Sequence, residues 1–130
     1  MLRVGFLPSD FNPMLLILGE AEDLRLLAGA LRRFAREGTD MPLDDRLGFS
    51  ATPRSAVTMT ASAGTPGVQA VEGNRFVWRL DAPLADAFAD RIDQLALPSC
   101  PAGSEILQCS AGEEIPVKVS RGEYTDDYLA

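Results

Sequence analysis

The chain has 130 residues, 46% of them hydrophobic, a net charge of −7 and no histidine. Without histidine the chain holds no Ser-His-Asp or Cys-His relay and no HExxH zinc helix, and its 19 acidic groups against 12 basic ones repel nucleic-acid phosphates over most of the surface. Hydrophobicity at this level excludes global disorder, and the length fits one α+β domain over 1–130 that needs no metal or disulfide to support its core.

Met1 to Pro8 is too short and too soon interrupted for a secretory signal, while Leu2, Val4 and Phe6 alternate as a strand would. Met14-Leu-Leu-Ile-Leu18 is the longest apolar run. It predicts a strand covered on both faces, hence a central one, and falls far short of the ~20 residues of a membrane span. Next, Leu24, Leu27, Ala28, Leu31, Phe34 and Ala35 mark one buried helix face. Glu20, Glu22 and Asp23 at its start and Arg32, Arg33 and Arg36 at its end complement the helix dipole, which accounts for the arginines without an anion. Gly38 is the left-handed stop. Thr39 to Pro53 has no sustained period. So long a connection is uncommon without a functional or packing reason, which makes it a candidate binding loop or the place of a short helical turn.

Ser55 to Ser62 alternates as a half-buried strand. After the turn at 63–67, Val68 to Val71 forms a pairing segment, and Glu72-Gly73-Asn74 turns the chain again. Arg75 to Leu80 is a strand with Phe76, Trp78 and Leu80 on one face and Arg75, Val77 and Arg79 on the other. Asp81 is a good N-cap and Pro83 suits the first turn of a second helix running to about Leu97. Leu84, Phe88, Ile92, Leu95 and Ala96 form its apolar face, and Asp86, Asp90 and Asp93 line the opposite side. Two closing strands follow, Glu105 to Ser110 and Ile115 to Ser120. Pro116 cannot donate to a ladder, so the last strand is expected at an edge. Residues 122–130 form a flexible acidic tail.

This order predicts a two-layer α+β sandwich: a mainly antiparallel sheet of about four to six strands with two helices on one face, a ferredoxin-like βαββαβ variant. No internal sequence repeat is found, though the two helix-containing halves leave room for pseudo-symmetry in space. By alternation the sheet face away from the helices carries Thr58, Thr60, Arg75, Arg79 and Lys118, a polar, locally basic surface suited to an anionic ligand or an acidic partner.

Asp86, Asp90 and Asp93 share a helix face, but a solvated helix side has the same pattern and no calcium loop accompanies it, so no metal is expected. Phosphate-binding glycine loops are missing, and no cofactor is expected. Cys100 and Cys109 lack the partners of a zinc site and read as free thiols of a cytoplasmic protein, Cys109 inert on an inward-facing strand position. The segment Glu114-Ile-Pro-Val-Lys-Val-Ser-Arg-Gly-Glu-Tyr124, with Phe76-Val-Trp-Arg-Leu80 and the helix after it, resembles a group of small bacterial proteins of unassigned function. That resemblance carries no catalytic motif; it implies a bacterial, stand-alone single domain and nothing about chemistry.

A non-enzymatic binding protein without catalytic residues is therefore expected, acting on a protein partner or on itself as a homodimer, with neither nucleic acid nor membrane. One version is an immunity-like inhibitor that meets a basic partner with Asp86, Asp90, Asp93, Glu113, Glu114, Glu123, Asp126 and Asp127. The alternative is a regulatory module that binds an anionic metabolite through the basic sheet face.

Overall fold

The computed structural model describes residues 2–7, 13–49, 55–61, 65–109 and 114–122. The first apolar stripe forms helix α1, Ala21–Glu37, burying Leu24, Leu27, Ala28, Leu31 and Phe34 and adding Ala30 to the buried set. At its start the Glu20 amide donates to Asp23 Oδ2 at 2.9 Å, and Gly38 ends it at φ 67°, a conformation glycine adopts without a Cβ clash. Helix α2 spans Ala82–Leu95. Its first turn is held by Asp81, whose Oδ1 accepts from the Leu84 amide at 2.8 Å.

The strands are β1 (Arg3–Leu7), β2 (Met14–Leu18), β3 (Met41–Pro42), β4 (Ala56–Thr60), β5 (Gly67–Ala70), β6 (Arg75–Arg79), β7 (Gly103–Leu107) and β8 (Val117–Arg121). The alternating Leu2, Val4, Phe6 pattern thus yields β1, and the long connection holds a 3₁₀ turn at Asp45–Leu47. The eight strands divide into two mixed four-stranded sheets, ordered β1-β2-β8-β7 and β3-β4-β6-β5. That replaces the expected single antiparallel layer. Consecutive strands do pair antiparallel, β5 with β6 across the turn at 71–74 and β1 with β2, β3 with β4 and β7 with β8, but each sheet is completed by a parallel pair, β2 with β8 and β4 with β6. Such long-range pairings leave no mark on local periodicity.

A second correction concerns β8, which lies between β2 and β7 and not at an edge. Pro116 precedes the strand and takes part only through its carbonyl, which accepts from the Leu15 amide at 3.0 Å. No ladder donor is missing, so the proline costs the sheet nothing. The β2 expectation holds: β2 sits between β1 and β8, with Leu15, Leu16, Ile17 and Leu18 all at most 2% exposed.

Hairpin β1–β2, α1 and hairpin β3–β4 are followed by hairpin β5–β6, α2 and hairpin β7–β8. Each sheet takes one hairpin from each half, so the halves interlock about a pseudo-twofold relation that exchanges β2 with β6 and β8 with β4. One apolar cluster joins the inner faces of both sheets to both helices. Phe6 of one sheet meets Phe76 of the other at a ring separation of 5.1 Å, and Trp78 stacks on Phe88 of α2 at 6.1 Å.

Candidate binding cleft

Strand register brings four of the five expected sheet-face residues together. Thr58 lies opposite Val77, Thr60 opposite Arg79 and Ala56 opposite Arg75, so Thr58, Thr60, Arg75 and Arg79 share the outer face of the β3–β6 sheet. Arg79 donates to Gln69 on β5, and its buried Nε has no hydrogen-bond partner among the described residues. Thr60 Oγ1 donates to Asp40 Oδ1 at 2.7 Å. Lys118 does not join them. It stands on the other sheet, across from Leu16 and Ile106, because β8 pairs with β2 instead of β6.

Three of the eight residues of the expected acidic surface have partners within the fold. Arg32 of α1 reaches Asp90 and Asp93 of α2 at 2.7 Å each; Asp86 and Asp90 are exposed and Asp93 is half-buried. Glu114 turns back on its own loop, and both its oxygens accept from the Cys109 amide, at 2.7 and 2.9 Å. Glu113, Glu123, Asp126, Asp127 and the tail beyond residue 122 lie outside the described residues.

Lys118 borders a hollow of about 300 Å³ with Met14, Ile106 and Pro116, and a larger one belongs to the long connection. Where the chain leaves α1 and folds back, a cleft of about 400 Å³ opens between Arg33 and Glu37 of α1 and Asp40, Pro42 and Arg46 of the connection. Asp40 and Pro42 also border the β4 face, Pro42 opposite Thr58 and Asp40 bonded to Thr60. The 3₁₀ turn that carries Arg46 is locally braced. Asp44 caps it by accepting from the Arg46 amide at 3.0 Å and binds the Arg46 guanidinium at 2.7 Å, and Gly48 closes it at φ 85°. Hydrogen bonding from the Arg46 side chain holds the Asp44 carboxyl below its ordinary range.

Arg33 donates to the Met41 sulfur at 3.8 Å and forms no ion pair among the described residues. A second cavity of about 280 Å³ shares Arg33, Arg46 and Leu47 with the first and runs along α1 past Gly29 to Arg25 and Leu26. The result is a trough edged by Arg33, by Arg46, which is paired with Asp44, and by Arg25, which donates to the Ala96 carbonyl.

Sequence reasoning singled out the connection and weighed Arg33 as an anion contact, but it passed over Arg25 and Arg46. One signal was present: Arg25, Gly29 and Arg33 recur every four residues and so share a helix face. Arg46 carried none, since only the fold of the connection brings it across from α1. Comparison with known proteins gives no match: no protein-family model, no curated protein and no solved structure matches this chain.

Proposed function

We propose that this chain is a non-enzymatic binding protein that recognises an anionic ligand in the cleft between α1 and the 39–48 connection. One observation carries the reading: Arg33, free of any ion pair among the described residues, faces a cavity into which the braced 3₁₀ turn also presents Arg46. The cleft is lined by Arg33 and Arg46 together with Glu37, Asp40 and Asp44, and within it the Arg33 guanidinium suits a carboxylate or phosphate through bidentate hydrogen bonds. The polar face of Thr58, Thr60, Arg75 and Arg79 continues the site along the sheet. The version in which acidic side chains capture a basic partner has less support, since Asp90, Asp93 and Glu114 are already engaged. The proposed frame is a layered α+β domain in the cytoplasm, with Cys100 and Cys109 as free thiols.

Thermal denaturation at low salt with millimolar citrate or pyrophosphate tests the reading. A ligand that binds only the folded chain adds about 1.4 kcal/mol of apparent stability at a tenfold excess over Kd. The expected result is a saturable rise in Tm that salt suppresses and Arg33→Glu abolishes. No rise with either anion, or an equal rise in the variant, overturns it.

A further inference from the structure

Gly29 lies in the middle of α1, is exposed, and would place a Cβ in open space with nothing within 4 Å. Glycine is the poorest helix former after proline, and no packing around this position requires it. One turn before and one turn after, on the same face, stand Arg25 and Arg33. Across the trough are Arg46 and Leu47. Leu26 borders it with 57% of its surface exposed.

Resting on the anion-site reading of the adjoining cleft, we infer that this trough docks an acidic amphipathic peptide segment of a partner protein. The segment's backbone lies over Gly29, where a side chain would hold it off. Its apolar side chains cover the exposed Leu26, and its carboxylates bind Arg33 and the outer edge of Arg46, which stays 73% exposed beside its Asp44 partner. A small polyanion has no use for an exposed leucine or a missing Cβ, whereas a peptide carrying both carboxylates and leucines uses each. The net charge of −7 repels such a segment from the rest of the surface and so favours this one place, with association that weakens as salt screens it.

Fluorescence anisotropy with a labelled helical peptide of glutamate and leucine at amphipathic spacing tests this, with a leucine-free polyglutamate peptide and a single-stranded oligonucleotide as comparisons. The Glu/Leu peptide is expected to bind saturably, and Gly29→Leu and Arg33→Glu are each expected to weaken it by about tenfold or more. Gly29→Ala is expected to raise Tm, and Gly29→Leu to leave the fold intact by circular dichroism. Equal binding of polyglutamate or of the oligonucleotide, or peptide affinity unchanged by Gly29→Leu in a folded variant, overturns the inference. If citrate or pyrophosphate raises Tm while the peptide does not bind, the cleft stands and the peptide assignment falls. If neither binds, both fall.

Discussion

Cys109 shows how a single residue's chemistry is set by its surroundings. Burial, reinforced by the adjacent Glu114 carboxylate, pushes its thiol from the ordinary 9.0 up to about 12. A thiolate is the reactive form, so the raised pKa keeps Cys109 a thiol at neutral pH. β7 ends at Leu107, and Cys109 lies beyond it, half-buried, instead of on the inward strand position expected. Glu114 is itself wedged over Gly67, where an added Cβ would come within 2.6 Å of the Glu114 Cβ and the backbone already sits at φ 114°. Replacing Glu114 with Gln removes the repelling charge while keeping the shape. The Cys109 thiol of Glu114→Gln should titrate at a lower pH and react faster with iodoacetamide at pH 9; an unchanged rate would mean burial alone controls it. The sign of the linkage follows from the raised value. The unfolded thiol ionises near its ordinary pKa and the folded one resists, so its contribution is complete below about pH 9 and is lost as pH rises toward 12. Cys109→Ser should flatten the stability profile across that window.

At the scale of elements, the ends of α2 contrast. Asp81 caps the N-terminus from within the local sequence, yet the last turn contains no basic residue. The cations come from elsewhere. Arg121 of β8 donates to the carbonyls of Leu95, Leu97 and Cys100 at 3.2, 2.9 and 2.7 Å, and Arg25 of α1 donates to that of Ala96 at 3.2 Å. A guanidinium there satisfies orphan carbonyls and meets the negative end of the helix dipole. Arg121→Met should therefore cost about 2 kcal/mol in urea denaturation. Arg32→Ala removes a bridge whose partners are substantially exposed, and should cost no more than about 1 kcal/mol. Finding Arg32 the more costly loss would show that the interhelical bridge, and not the shared cap, holds α2 in place. Arg91 acts on a third element: it donates to the Ile106 carbonyl at 2.7 Å while pairing with Glu105, covering a backbone acceptor of edge strand β7.

Across the whole molecule, interlocking decides the behaviour. β8 cannot leave its sheet without separating β2 from β7, and β4 holds the corresponding place beside β6. Because each sheet draws on both halves and one cluster fills the space among sheets and helices, neither half has a core of its own. Unfolding should then be a single transition. The fluorescence of Trp78, in one sheet, and the amide exchange of Ile17 and Val119, in the other, should report the same free energy of global opening. Two separate values would show that the sheets open independently.

The sequence by itself determined the local units: both helices, the first-turn acids of α1, the Gly38 stop and the Asp81 cap, the alternating strands and the doubly covered β2. These follow from the 3.6- and two-residue periods and from cap and turn chemistry, which act within a few residues. Tertiary structure alone decided which strands meet, that two sheets form instead of one, that β8 is central, and that Lys118 is parted from Arg75 and Arg79. It also decided that Asp90 and Asp93 share Arg32, and that Arg46 faces Arg33 across a cleft. Each of these depends on groups distant in the chain whose pairing is set by shared burial, and no local period encodes a partner that far away.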